Sequence, residues 1–250
     1  MALIRCNASI FPNVQAILFD KDGTLANSES FLRNLAQRRS RLIDAQVPGV
    51  QEPLLMAFGV EGDRINPAGL VAVGTRQENE IAAAAYVAET GRDWVDSLRL
   101  VYSAFADAER SVPNKAEHTP PIAGVIELLK TLAVAGLQVG VLSSDSTHQV
   151  EAFLQTYQLT PYIQAQFGID GYSSKFAPAL LQQVVSALET EPNQILVVGD
   201  SQVDIEVSQK LGALGCIGFT GGWSTVVQLP GADATIHHFK EMQIQEDITF

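Results

Sequence analysis

Cysteine is scarce in this chain of 250 residues. Cys6 and Cys216 are the only two, far apart and in no metal-ligand spacing. That excludes a disulfide framework and a zinc cluster. Positive charge is scarce as well. Sixteen Lys and Arg stand against 28 Asp and Glu, a formal charge of −12. Such a chain repels phosphate backbones at long range, so generic nucleic-acid binding is not expected. A phosphate-bearing substrate would need a local positive site, with a metal to help. No apolar run is as long as a membrane span. The opening MALIRCNASIFPN has no basic region followed by a long apolar stretch, so a signal peptide is not expected and the default location is cytoplasmic. Apolar residues make up 46% and charged residues 18%. That composition excludes wholesale disorder, and the length suffices to bury a substantial core.

What is present falls into two patterns. Short apolar runs at 16–19 (AILF), 139–142 (VGVL) and 195–198 (ILVV) read as buried strands, with weaker candidates at 166–169 and 215–219. A further candidate near Leu3 to Cys6 belongs at a sheet edge or an interface. Amphipathic segments alternate with these runs from Ile122 onward: one behind Pro120 and Pro121, one headed by Ser146, one opened by Pro178, and one from Asp204 stopped by Gly212. Helix and strand in alternation predict an α/β chain with a mainly parallel, Rossmann-like sheet. The stretch from Ser28 to about Lys115 differs. It holds no convincing strand, a capping-box spacing at Thr75 and Glu78, a helical pattern from Asp93 to Arg110, and a segment rich in Pro and Gly between Pro48 and Gly74. The segment 111–121, SVPNKAEHTPP, reads as a linker. The expected organisation is a core of 1–27 and 116–250 interrupted by a helical insert of 28–115.

The polar residues gather where strands should end. The first strand runs into Asp20, Asp22, Gly23 and Thr24. In an open α/β sheet, sites form at the carboxyl ends of strands, although an Asp-Gly turn alone explains this feature equally well. Another strand ends in Gly199 and Asp200, with Asp204 four residues on. Each aspartate also suits a helix N-terminus, but four carboxylates at two strand ends form a set of hard oxygen ligands suited to Mg²⁺. A third strand ends in Ser143 and Ser144, hydroxyls that hold a phosphoryl oxygen or cap a helix. Lys175 follows a weak strand, where a solvated surface charge is the plain alternative.

In this order, Asp20-Lys21-Asp22-Gly23-Thr24, Ser143, Lys175 and Gly199-Asp200-Ser201…Asp204, the chain resembles the haloacid dehalogenase superfamily of phosphohydrolases over nearly its whole length. The insert resembles the small C1-type cap of the phosphoglycolate phosphatase-like branch. The ending GADATIHHF, at 231–239, resembles that branch's last strand and helix start. Two positions depart from the pattern: Phe176 stands where proline commonly follows the lysine, and Ser144 where asparagine often follows the serine. The resemblance implies a Mg²⁺-dependent phosphomonoesterase acting on a small phosphorylated metabolite, with phosphoglycolate as the substrate of that branch. Asp20 is then the nucleophile. Asp22 is the acid and base, with a pKa raised by neighbouring carboxylates. Ser143, Ser144, Lys175 and the N–H groups of Gly23 and Thr24 bind the phosphoryl group. The metal ligands are Asp20, the Asp22 carbonyl and Asp200, with Asp204 either a fourth ligand or a support that holds the others.

Among residues outside the motifs, Arg76 and Arg92 are candidates for meeting a substrate carboxylate, with surface positions as the alternative. Glu78 and Glu80 read as a solvated helix face, His118 as a linker residue without a function, and Trp94 and Trp223 as packing residues. A dehalogenase proper needs no second aspartate, so Asp22 argues against it. A phosphonatase needs a lysine in the cap, and 28–110 contains none. A phosphomutase of the β-phosphoglucomutase type remains as an alternative, as does a phosphate-binding regulatory protein without turnover. The oligomeric state is not legible.

Overall fold

The computed structural model describes residues 2–112, 114–170 and 174–246. Pro113 of the expected linker, and Tyr172 and Ser173 ahead of Lys175, lie outside the described residues. The chain opens with a hairpin, β1 (Ala2–Cys6) and β2 (Ser9–Val14), and enters β3 (Ala16–Phe19) directly. An insert of α1 (Glu29–Asp44), α2 (Gln51–Phe58), β4 (Val60–Glu61), β5 (Arg64–Ile65), α3 (Leu70–Val73), α4 (Arg76–Glu89) and α5 (Trp94–Arg110) follows. Then come α6 (Val125–Val134), β6 (Gln138–Leu142), α7 (Thr147–Thr156), β7 (Ala165–Phe167), α8 (Pro178–Leu188), β8 (Ile195–Gly199), α9 (Gln202–Leu211), β9 (Gly215–Phe219), β10 (Ala234–Ile236) and β11 (Met242–Glu246). Among the described residues, no helix is long and apolar enough to cross a membrane.

Six strands form a parallel sheet in the order β10-β9-β8-β3-β6-β7. All four residues of β3 and all five of β8 are buried, as expected for strands covered on both faces. Their alternation divides the core. Ile17 and Phe19 join the cluster lined by α6 and α7, while Ala16 and Leu18 join the one lined by α8 and α9. The register sets Phe19 opposite both Val198 of β8 and Val141 of β6. The residues following β3, β8 and β6 therefore emerge side by side at one rim. The insert buries a third cluster, in which Phe58 meets Phe105 edge-on, and Trp223 from the loop after β9 packs into it. Two chain crossings join insert to sheet, and they pair: Asn27 N–H donates to Pro120 O (2.8 Å) and Ile122 N–H to Leu25 O (2.9 Å).

The parallel α/β architecture agrees with the sequence; four local expectations do not. The insert contains a two-stranded ladder, β4 with β5. Pro120 and Pro121 do not begin α6, which starts at Val125 after Gly124 in the left-handed region. The strand β1 does not join the main sheet. It is the centre of a separate antiparallel sheet, β11-β1-β2, with Pro12 in β2 at the edge where no ladder bond is lost. The ending 231–239 gives β10 and a single 3₁₀ turn (Phe239–Glu241), and the chain then continues as β11 rather than as a helix. Pairing with β1 satisfies the backbone groups along one edge of that strand.

Candidate active site

The rim at the carboxyl ends of β3, β8 and β6 is the floor of a cavity of about 680 Å³, roofed by the insert. Asp20 follows β3, and its N–H donates to Val198 O (2.9 Å), which locks it to β8. Its Oδ1 accepts from Lys175 Nζ (2.8 Å) and the Lys21 N–H (2.6 Å). Its Oδ2 has no partner among the described residues, and the side chain keeps 11% exposure toward the cavity it lines. Burial, countered by Lys175 and reinforced by Asp204 and Asp22, pushes this carboxyl up to about 6.

Asp200 stands beside it after β8 and is fixed by two donors, Thr24 Oγ1–H and Trp223 Nε1–H, each at 2.7 Å. Burial first, then Asp20 and Asp204, push Asp200 well above the usual carboxylate range. Asp204 lies in the first turn of α9. Its Oδ2 accepts from Ser201 N–H (3.1 Å) and Oγ–H (2.7 Å), the expected helix-capping role, while its Oδ1 accepts from Lys175 Nζ (2.8 Å). The turn at Gly23 makes this convergence possible. Its φ is +81°, and a Cβ there would come within 2.6 Å of the Asp200 carboxylate and the Trp223 ring.

Oxygens of Asp20, Asp200 and Asp204 all lie within 4.8 Å of one another. Asp20 and Asp204 share one lysine and Asp200 has only neutral donors, so the three carboxylates outnumber the cation among them. Hard oxygen donors with that deficit fit a divalent cation of the Mg²⁺ or Ca²⁺ type.

Asp22 is not among those carboxylates and does not have the raised pKa that the sequence suggests. Its Oδ2 accepts from Lys21 Nζ (2.7 Å) and Lys115 Nζ (2.8 Å), and its Oδ1 from Ser28 Oγ–H. Burial works to raise this carboxyl, but Lys115 and Lys21 outweigh it and hold the group well below the usual range. Both lysines also reach Asp145 Oδ2, at 2.6 Å from Lys115 and 3.0 Å from Lys21. Lys21, only 1% exposed, sits over the Phe153 ring, and Lys115 over that of Phe31 from the insert. The expectation of crowding by carboxylates fails here because cations surround this one.

Ser143, Ser144 and Lys175 line the cavity as expected. Ser143 Oγ accepts from the Asp145 N–H (3.1 Å), and Ser144 Oγ faces Val73 O of the insert at 3.5 Å. The N–H groups of Gly23 and Thr24, expected as phosphate donors, are used inside the turn, on Ala26 O (2.9 Å) and Lys21 O (3.3 Å). The Asp22 and Ser144 N–H groups have no partner among the described residues.

Of the two candidate arginines, Arg76 lines the cavity; Arg92 does not, and donates to Gln46 O (3.1 Å) at the surface. The sequence reading missed Arg39, which lines the cavity with Nη2 3.1 Å from Glu109. Glu78 closes the capping box on Thr75 and is exposed, as expected, whereas Glu80 is buried against Arg76 rather than solvated. His118 stacks on Phe31. Trp94 is 47% exposed rather than packed, and Trp223 adds a hydrogen bond to its packing role.

A family model for haloacid dehalogenase-like hydrolases matches residues 14–212. A phosphoglycolate phosphatase of Caulobacter vibrioides is 28% identical over 133 residues, 51% of this chain and 54% of that protein, so the match spans about half of the relative. A phosphoglycolate phosphatase of Salmonella paratyphi A is 27% identical over 222 residues, 85% of this chain and 83% of that protein. The crystal structure of a predicted phosphoglycolate phosphatase from Haemophilus somnus is similar with a TM-score of 0.62, over 91% of this chain and 95% of that one. At 21% identity that likeness speaks for the fold.

Proposed function

The chain belongs to the haloacid dehalogenase-like hydrolases, and from that premise we propose that it is a Mg²⁺-dependent phosphatase that hydrolyses a small phosphomonoester through an aspartyl-phosphate on Asp20. One observation carries the reading. Asp20 ends the central strand with Oδ1 held by Lys175 and Oδ2 unpartnered among the described residues, at the floor of a roofed cavity. A fixed carboxylate with one oxygen available is the arrangement an in-line nucleophile needs. Asp20, Asp200 and Asp204, with the Asp22 carbonyl, would hold the metal. When bound, Mg²⁺ supplies charge neutralisation and polarises a phosphoryl oxygen.

Asp20 attacks phosphorus and the ester oxygen leaves with a proton from Asp22. Water then attacks the aspartyl-phosphate and Asp22 takes its proton. Lys175, Ser143 and the N–H groups of Asp22 and Ser144 hold the transferring oxygens. Held by two lysines, Asp22 suits the second step. For the first it must carry a proton, which requires Lys115 to withdraw. Lys115 rides on a crossing between insert and sheet, so movement of residues 28–115 as a cap over the core of 1–27 and 116–250 delivers that change. Lys115→Met is expected to lower kcat about tenfold, a fraction of what a general acid–base group contributes, with the KM for p-nitrophenyl phosphate little changed. Lys115→Arg should recover part of the loss.

Metal loading should depend on pH. Burial and neighbouring carboxylates raise Asp20 to about 6 and hold Asp200 well above the usual carboxylate range, so both compete for protons when the metal is away. Mg²⁺ affinity is expected to fall as pH drops through about 6, and binding near and below that pH to release protons. Calorimetry in buffers of different ionisation enthalpy reads both effects.

The proposal is tested by phosphate release from a panel of phosphomonoesters, with 2-phosphoglycolate and sugar phosphates included, in Mg²⁺ and in chelator. Metal-dependent release supports it. Folded protein that releases phosphate from no compound contradicts it.

A further inference from the structure

The cavity roof is built from ion pairs that are already closed. Arg39 Nη2 lies 3.1 Å from Glu109, Arg76 Nη1 2.8 Å from Glu109, and Arg76 Nε 2.8 Å from Glu80. All four residues line the cavity that Asp20 also lines. Recognition of a carboxylate calls for a guanidinium fork that is free to receive it, and both roof arginines are engaged by glutamates. On the floor, Lys175 and Lys115 are each shared between two aspartates. Seven acidic and four basic side chains line the whole cavity. A divalent cation leaves that balance negative, so one phosphate is accommodated at the metal and a second anion beside the roof is repelled.

The roof also has a mixed hydrogen-bonding demand. Among the described residues, two buried side-chain polar atoms lack a partner, Arg39 Nε and Asn79 Oδ1, and both residues line this cavity. The orientation of Asn79 is fixed by its Nδ2, which donates to Thr75 O (2.8 Å) and Leu70 O (3.2 Å), so the remaining atom is an acceptor. A donor and an acceptor left over together match a hydroxyl, which gives and takes; a carboxylate only takes.

We propose that the roof formed by Arg39, Asn79, Arg76, Glu80 and Glu109 selects an uncharged, hydroxyl-bearing leaving group, which makes polyol and sugar monophosphates the preferred substrates over esters that carry a second acid. This rests on the phosphomonoesterase reading above. The cavity of about 680 Å³ leaves room for a leaving group of sugar size. Glu80 and Glu109 accept from its hydroxyls and the two arginines donate to them.

The test compares kcat/KM in Mg²⁺ for p-nitrophenyl phosphate, glycerol 1-phosphate, ribose 5-phosphate and 2-phosphoglycolate. The wild type is expected to favour a polyol phosphate over 2-phosphoglycolate by at least about tenfold. Glu109→Gln releases Arg39 and Arg76 from their shared partner and should shift that ratio about tenfold toward 2-phosphoglycolate. Glu80→Gln, checked by circular dichroism, serves if Glu109→Gln does not fold. Equal or better turnover of 2-phosphoglycolate by the wild type overturns the proposal. So does a ratio unmoved by the glutamine variants, or turnover of p-nitrophenyl phosphate with none of the polyol esters. No release from any of the four esters defeats the phosphomonoesterase reading itself, and the roof assignment with it.

Discussion

Replacing Asp20 by asparagine is expected to reduce phosphate release at least about a thousandfold, the scale on which removal of a covalent nucleophile is felt. The amide has the shape of the carboxylate without its nucleophilic oxygen, and it forms no acyl phosphate. The fold should survive. Burial has pushed the Asp20 carboxyl up to about 6, above the value of about 4 for an unfolded aspartate. An ionised Asp20 is therefore a charge that the folded state holds at a disadvantage above pH 6. The neutral amide removes that disadvantage while Lys175 keeps Asp204. A melting temperature near or above that of the wild type, together with lost turnover, separates chemistry from stability. Unchanged turnover by a pure Asp20→Asn preparation would remove Asp20 from the reaction.

Lys175→Met should damage both properties. Lys175 is 3% exposed and bridges Asp20 and Asp204 at 2.8 Å each. Methionine fills similar space but leaves two buried carboxylates facing each other beside Asp200. Removing one partner of a buried ion pair costs about 3–5 kcal/mol. The pH dependence has a definite sign. Without the lysine, which lowers it, the folded-state pKa of Asp20 rises further above the unfolded value. Stability is then retained at low pH, where this group is protonated, and lost as pH rises through the folded pKa. The deficit against wild type is expected to be larger at pH 8 than at pH 5, as read from urea midpoints, and Mg²⁺ should recover part of it at pH 8 by replacing the missing charge. A deficit that grows toward low pH would show that Lys175 is not the counter-charge of this cluster.

The carboxyl ends of β3, β6 and β8 were legible because each strand is a continuous buried run that stops at a small or acidic residue. Local spacing is enough to find such ends, and the parallel order of the sheet then brings Asp20, Ser143 and Asp200 to one rim. The pairings that set the electrostatics were not legible. Lys115 reaches Asp22 across 93 positions, and Arg39 reaches Glu109 across 70. Nothing in the SVPNKAEHTPP segment marks its lysine as buried. A usable signal was present: lysine is rare here, with six in the chain, and one of them stands inside the DxD motif itself. Lys21 in a segment otherwise destined for burial asks for carboxylate partners, and Asp22 and Asp145 are those partners. Glu80 misled for the converse reason. On α4 its position reads as exposed, and only the packing of α4 on α5, with Arg76 and Glu109 between, buries it. The β11-β1-β2 sheet joins the two ends of the chain, a contact with no local trace in either.

The central claim is a covalent phosphoryl group on Asp20. Its most direct test is to mix the enzyme with Mg²⁺ and excess phosphomonoester, quench in acid within a single turnover, and locate the modification by peptide mass spectrometry. The account predicts a phosphoryl mass shift on the peptide carrying Asp20, at the carboxylate, and its absence in Asp20→Asn. Phosphate released at full rate with Asp20 never modified, or with the phosphoryl group on another residue, would contradict it.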